Sequence, residues 1–289
     1  MSLDSIIESI SEGKNVLLHG PGGTGKSFTL RHIALYFQKK GKEVACTATT
    51  GVAAINLNMP EEKIMGRTLH SWAGIKLGRA PAEKLLAQIY QKKGYLDRWK
   101  NVDILIIDEI SMLGASLIEK LDFIARKIRS SPRMLKGETS KPFGGIQLVL
   151  SGDFLQLPPV KEVWCFKSKV WKTWNLVPFI FIEPKRYDDT RYFNLLLRLR
   201  KGNYTHEDIS LLKKRVQAYD RLQQIIKTSE TSVLIRPTIL FSRKKDVKAY
   251  NDKELKSLQD PPHDFIAIDS FTPFSKGVKR HAYISLLDE

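Results

Sequence analysis

Short apolar runs alternate along the chain with stretches whose apolar residues recur at helical spacing. Residues 15–19, 44–47, 103–107 and 146–151 read as buried strands, each bounded by polar or glycine-rich turns. Residues 5–11, 27–40, 82–93 and 115–129 read as helices; Ile6, Ile7 and Ile10 share a face in the first, and Gly41 closes the second. Strands that alternate with helices predict an α/β fold with a parallel sheet and crossover helices. A second α/β unit is expected to open near Phe179, with strands at 179–183 and 238–242 and helices at 192–201 and 245–258. Val247, Tyr250, Leu255 and Leu258 would form the apolar face of the last helix. Beyond Asp260-Pro261-Pro262 the pattern dissolves into short irregular strands.

Composition narrows the class. The 289 residues are 42% hydrophobic and 27% charged, ordinary values that exclude a disordered, collagenous or membrane-embedded chain. The formal net charge is +16, and residues 1–150 and 151–289 each carry +8 of it. Basicity spread along a folded chain suits a polyanion track, nucleic acid foremost; the plainer reading is a soluble basic protein. Cys46 and Cys165 sit in apolar runs and read as buried thiols of a reducing compartment. The opening MSLDSIIESISEGKN has neither a basic leader nor a signal-length apolar run. No stretch approaches the ~20 apolar residues of a membrane span.

Residues 20–27, GPGGTGKS, match the P-loop pattern between a predicted strand and a predicted helix. Backbone N–H groups from Gly22, Gly23, Thr24, Gly25 and Lys26 can wrap a triphosphate at the helix N-terminus, with Gly20 opening the turn. Lys26 would reach the β- and γ-phosphates, and the Ser27 hydroxyl would ligate Mg²⁺. DILIIDE, 103–109, reads as a buried strand with an acidic pair at its carboxyl end, where open α/β sheets bind ligands. Asp108 would hold Mg²⁺ through water or Ser27, and Glu109 is the candidate base for the attacking water. A third buried strand ends in Ser151-Gly152-Asp153, followed by Gln156. A glutamine amide both donates and accepts, so it can distinguish ATP from ADP beside a γ-phosphate.

These segments resemble the PIF (petite integration frequency) family of superfamily-one DNA helicases, akin to the RecD-like helicases. The resemblance rests on GPGGTGKS at 20–27, TATTGVAA at 47–54, GRTLHSW at 66–72, IIDEISM at 106–112 and PFGGIQLVLSGDFLQLPPV at 142–160. LIEKLDFIARKIR at 117–129 is similar to the family's signature helix. The resemblance implies a RecA-like first domain, 1–182, with a small wedge-like insertion about 75–99. It also implies the beginning of a second RecA-like domain, 183–258, and a truncated β-barrel-like region, 259–289.

By that resemblance the chain uses ATP and Mg²⁺ to move 5′-to-3′ on single-stranded DNA and at DNA forks. Roles in replication, repair, recombination or telomere maintenance follow from it. Lys26, Ser27, Asp108, Glu109 and Gln156 would serve the nucleotide, and Arg186 would reach the γ-phosphate from the second domain. Thr49, Gly51, Thr68, His70 and Ser71 would lie on the DNA-facing side, where small donors position phosphates without reading bases. His70 and Trp72 can stack on bases, while core packing is the equal alternative for Trp72.

Four departures stand out. Tyr187 replaces the glutamine that follows the family's arginine, and Leu3-Asp4 stand where the family reads adenine. The match over 75–99 is too loose to name a strand-separating residue, and the family's last two motifs have no counterpart. The chain therefore reads as a monomeric N-terminal motor part that binds nucleotide, hydrolyses it slowly and does not unwind alone. The alternative is a non-motor, ATP-gated single-strand clamp completed by a partner chain. The expected setting is the nucleus, the mitochondrion or a virus-infected cell.

Overall fold

The computed structural model describes residues 2–130, 141–228 and 238–258. The expected barrel-like region, 259–289, lies outside the described residues. The chain divides into two compact units at Gln217/Ala218.

The first unit is built on a six-stranded sheet. Its strands are β1 (Val16–His19), β2 (Val44–Ala48), β3 (Arg67–Thr68), β4 (Ile104–Asp108), β5 (Gln147–Gly152) and β6 (Val177–Ile180). Their order is β3-β2-β4-β5-β1-β6, and every pairing is parallel. Parallel strands need crossovers, so helices cover both faces. The burial pattern of β4 records this directly. Ile104 and Ile106 pack with Ile6, Ile10, Leu30 and Ile33 on one face. Leu105 and Ile107 pack with Trp72, Trp99, Ile118 and Leu121 on the other. That two-sided burial is why the strand reads as an unbroken apolar run.

The first face carries α1 (Leu3–Ser11) and α2 (Lys26–Lys39). Between β2 and β3 lies the short α3 (Gly51–Ile55), capped by Thr50. The second face carries α4 (Leu69–Ala73), α5 (Ala82–Tyr90), α6 (Lys93–Asn101) and α7 (Ala115–Arg129). The helix expected over 82–93 is α5 and ends at Tyr90, where the chain turns at Gln91-Lys92; α6 follows as a helix that was not expected. The stretch 75–99, expected as an insertion, is structural on its inner side: Ile75, Leu85, Ile89 and Trp99 are buried in the main core. Trp72 is 5% exposed, with its ring centroid 4.7 Å from that of Trp99, so core packing is its observed role.

Two strand expectations are corrected. The strand expected at 179–183 is β6, two or three residues earlier, and it does not open a second sheet. It pairs Val16↔Val177 through His19↔Ile180 with β1. Residues 183–217, including α8 (Thr190–Lys201), cluster with the first unit. The strand expected at 238–242 is absent: the backbone there is irregular and Leu240 is 90% exposed. An apolar run needs a neighbouring strand for its backbone bonds, and none is placed beside it among the described residues.

The long helix α9 (His206–Thr228) was not expected, although Ile209, Leu212, Val216, Tyr219, Leu222 and Ile226 recur at helical spacing along it. In the second unit, α10 (Lys244–Lys256) has no buried residue among those described, and Leu255 and Leu258 are exposed. Phe241 lies 5.6 Å from Tyr250 there.

Candidate active site

Strand β1 delivers the chain to the sheet's carboxyl edge at His19, and the P-loop starts at the next residue. The β1–β6 pairing continues to this point, where Phe181 N–H donates to His19 O at 2.7 Å. A Cβ on Gly20 would stand 2.1 Å from the Phe181 carbonyl oxygen, so this close crossing demands glycine. Gly23 has φ +79°, and its carbonyl accepts from the N–H groups of Lys185 (2.8 Å) and Arg186 (3.0 Å). The 183–187 segment is thereby laid across the loop. Gly25 caps α2, whose first residues are Lys26 and Ser27.

Lys26 Nζ donates to the carbonyls of Gly20 (2.7 Å) and Pro21 (2.8 Å). Thr24 is buried, and its hydroxyl also donates to Pro21 O at 2.8 Å. Burial pushes the Lys26 ammonium below its ordinary range, against the pull of Asp153, Asp108 and Glu109. A phosphate brought to this loop would add counter-charge to the ammonium and favour its charged form.

Asp108 ends β4 and is 3% exposed. Its carboxylate accepts from Ser27 Oγ (2.7 Å), Ser151 Oγ (2.8 Å) and Glu109 N–H (2.9 Å). Glu109 follows in a left-handed conformation, φ 55° and ψ 44°, unusual for a residue with a Cβ. The chain is held there by Thr49, whose hydroxyl donates to Glu109 O at 2.9 Å and whose N–H donates to Asp108 O at 3.2 Å. Burial and the Asp108 charge push Glu109 above the ordinary carboxylate range, with Lys26 opposing. Such a carboxylate is suited to accept a proton.

Beyond β5, Asp153 turns the chain toward Gln156, whose N–H donates to Asp153 O at 2.9 Å. The Gln156 amide nitrogen lies 3.3 Å from where a Gly22 Cβ would stand, so it borders the P-loop. Asp153 receives two bonds from Arg200 of α8, Nε at 2.7 Å and Nη2 at 2.6 Å. Burial pushes Asp153 up, but the bonds from Arg200 and Leu155 N–H outweigh it and leave the carboxyl below its ordinary range.

These groups face one cavity of about 1110 Å³. It brings together the predicted Gly22, Gly23, Thr24, Gly25, Lys26, Ser27, Asp108, Glu109, Gln156 and Arg186. Gly20 shapes the turn from outside the lining. Leu3, Ile6, Arg31, Asn56 and Ile182 line the same cavity and were not singled out by motif reading, apart from Leu3 as a departure. Nor was Arg200, which lies 47 residues from Asp153 with no local pattern to link them.

The five predicted DNA-facing residues separate. Thr68, His70 and Ser71 line a second cleft of about 510 Å³ with Lys76, Gln88, Gln91, Lys92 and Tyr95. Thr49 and Gly51 lie at the β2–α3 junction, outside that lining. Thr68 accepts from Ser71 N–H at 3.3 Å and so caps α4. Among the described residues no helix is long and apolar enough to cross a membrane.

Comparison with known proteins places these features. A family model described as PIF1-like helicase matches residues 2–208. The chain is 38% identical over 275 residues to the ATP-dependent DNA helicase PIF1 of Saccharomyces cerevisiae, covering 92% of this chain and 29% of that protein. It is 37% identical over 273 residues to the uncharacterized protein 030L of Invertebrate iridescent virus 6, covering 88% and 47%. The crystal structure of Pif1 helicase from Candida albicans superposes with TM-score 0.73 at 34% identity, covering 90% of this chain and 55% of that one. Bacteroides Pif1 bound to single-stranded DNA gives TM-score 0.64 at 25% identity, with coverage of 96% and 61%. The chain thus spans from under a third to about three-fifths of the length of these relatives. With a P-loop and acidic pair on a six-stranded parallel sheet, and a family match over most of its length, the chain belongs to the PIF1-like helicase family.

Proposed function

We propose that this chain is the ATP-hydrolysing part of a DNA helicase that moves 5′-to-3′ along single-stranded DNA. The observation that carries the reading is the meeting of the P-loop, Asp108, Glu109, Gln156 and Arg186 at one cavity. In this reading the P-loop N–H groups and Lys26 bind the β- and γ-phosphates of ATP. Glu109 accepts the proton of the attacking water, and the Arg186 guanidinium offsets charge that develops on the γ-phosphate. Gln156, beside Gly22, reports the state of the γ-phosphate to the segment leading to α8.

The donor set fits Mg²⁺. Ser27 Oγ and the Asp108 carboxylate are hard oxygen ligands 2.7 Å apart, and Mg²⁺ takes one or two such groups together with substrate phosphates and water. Bound there, the ion would neutralise phosphate charge. Thr49, at the β2–α3 junction, donates to the carbonyl of Glu109 in the nucleotide cavity, which supports coupling of hydrolysis to a bound strand. In this reading 1–182 form the first motor domain and 183–258 begin the second. Replication, repair, recombination or telomere maintenance is the proposed setting, and the chain acts as a monomer.

The test is ATP hydrolysis by the chain with and without an oligo(dT) strand and Mg²⁺. Turnover that needs Mg²⁺ and rises with the strand supports the reading. A chain that binds neither ATP nor the strand overturns it.

A further inference from the structure

The P-loop is fastened to the segment that carries Arg186 by more than the two backbone bonds at Gly23. Tyr187 is half-buried and lays its ring on that glycine. A Cβ on Gly23 would stand 2.5 Å from Cε2 and 3.2 Å from Cδ2 of the ring, so the contact needs the bare glycine backbone. The same ring meets the first turn of α8, its centroid 5.7 Å from that of Tyr192 and 5.7 Å from that of Phe193.

Helix α8 gives the ring a fixed seat. Asp189 caps the helix, its carboxylate accepting from the N–H groups of Arg191 (2.8 Å) and Tyr192 (3.2 Å). Phe193 and Leu195 are buried, and Arg200 ties the last turn to Asp153 at 2.7 and 2.6 Å. Tyr187 therefore joins an anchored helix to the phosphate-binding loop.

The placement of Arg186 follows from these contacts. Its N–H and that of Lys185 donate to one acceptor, the Gly23 carbonyl, which alone leaves a hinge about a single oxygen. The ring adds a second point of contact at the next residue. Arg186 Cβ lies 3.2 Å from where a Gly23 Cβ would stand, so the side chain starts from a set point on the cavity it lines. A cation that is already in place stabilises developing charge without reorganising at the moment of reaction.

We propose that Tyr187 is a positioning residue for ATP hydrolysis: its ring, seated on α8, bears on Gly23 and fixes the approach of the Arg186 guanidinium to the γ-phosphate. The proposal rests on the reading of Arg186 given above. It assigns a task to a residue at which the chain departs from its family's motif.

The test is single-turnover hydrolysis and equilibrium binding of ATP, with Mg²⁺, for wild type, Tyr187→Ala, Tyr187→Phe, Arg186→Ala and the double variant. Misplacing a reacting group by about 1 Å costs of order 100-fold, so Tyr187→Ala is expected to lose roughly ten- to a hundredfold in rate. Its ATP affinity should stay, because the P-loop N–H groups and Lys26 are untouched. Tyr187→Phe keeps the ring and should keep the rate. In the Arg186→Ala background, loss of the ring should cost nothing further, because the two residues act as one unit. Should alanine unfold the chain, Tyr187→Leu, which keeps bulk against Gly23 without a flat ring, is read in the same way. A wild-type rate in Tyr187→Ala, a loss of ATP affinity in place of rate, or an equal loss in both backgrounds overturns the proposal. So does a Tyr187→Phe variant as slow as alanine. A wild-type rate in Arg186→Ala instead overturns the reading of Arg186 on which the proposal rests.

Discussion

The Thr49 hydroxyl donates to the carbonyl oxygen of Glu109 at 2.9 Å, joining the end of β2 to the residue proposed as catalytic base. Glu109 has a left-handed backbone, which costs of order 1–3 kcal/mol unless its surroundings hold it. Thr49→Val removes the hydroxyl at nearly constant volume. It is expected to reduce stability by about 1 kcal/mol, with kcat for ATP falling more than affinity for ATP. Denaturant unfolding and steady-state kinetics check this. An unchanged kcat would show that Glu109 needs no such anchor.

Asp153 and Arg200 form a two-bonded ion pair in which the Asp153 side chain is 1% exposed and the Arg200 side chain 16%. Removing one partner strands a largely buried charge. Asp153→Asn is therefore expected to cost about 3 kcal/mol at neutral pH. The Asp153 carboxyl titrates below its ordinary range, so its contribution is present above the ordinary aspartate value and lost as pH falls through the lower folded value. Melting curves of the two proteins should converge in strong acid. A constant gap down to that range would assign the loss to packing.

Glu109 shifts the opposite way, and the sign reverses. A carboxyl raised in the folded state contributes stability below the ordinary glutamate value and loses it as pH rises through the folded value. Glu109→Gln should therefore melt above wild type at neutral pH and lose that advantage in acid. Differential scanning calorimetry at two pH values reads this. A less stable variant at neutral pH would argue that the ionised carboxylate is well paired.

Trp99 is fully buried between Trp72 and Phe143, with centroids 4.7 Å and 6.3 Å away. Trp99→Ala is expected to cost about 3–5 kcal/mol. Such a loss, seen in urea unfolding, would mark the inner side of 75–99 as part of the domain core. A loss below 1 kcal/mol would restore the view of a separable insertion.

Legibility in the sequence followed physical locality. Strands β4 and β5 could be read because each is buried on both faces, and α7 was read to its bounds because Ile118, Leu121, Ala125 and Ile128 share one stripe. The P-loop and the Asp108–Glu109 pair were legible because each chemistry sits in a few consecutive residues. Arg200 was not, since it gains its role from Asp153, a partner 47 residues away in sequence. Trp72 carried a motif yet packs inward, because helix α4 turns that face to α6. The irregular 238–242 stretch has strand composition but no neighbour among the described residues to pair with.

The most direct test of the account is single-turnover ATP hydrolysis by Glu109→Gln, with ATP binding measured on the same protein and Lys26→Ala as the comparison. The account predicts that Glu109→Gln keeps ATP affinity and loses at least ~100-fold in hydrolysis, whereas Lys26→Ala loses the affinity itself. Hydrolysis at the wild-type rate by Glu109→Gln would contradict it.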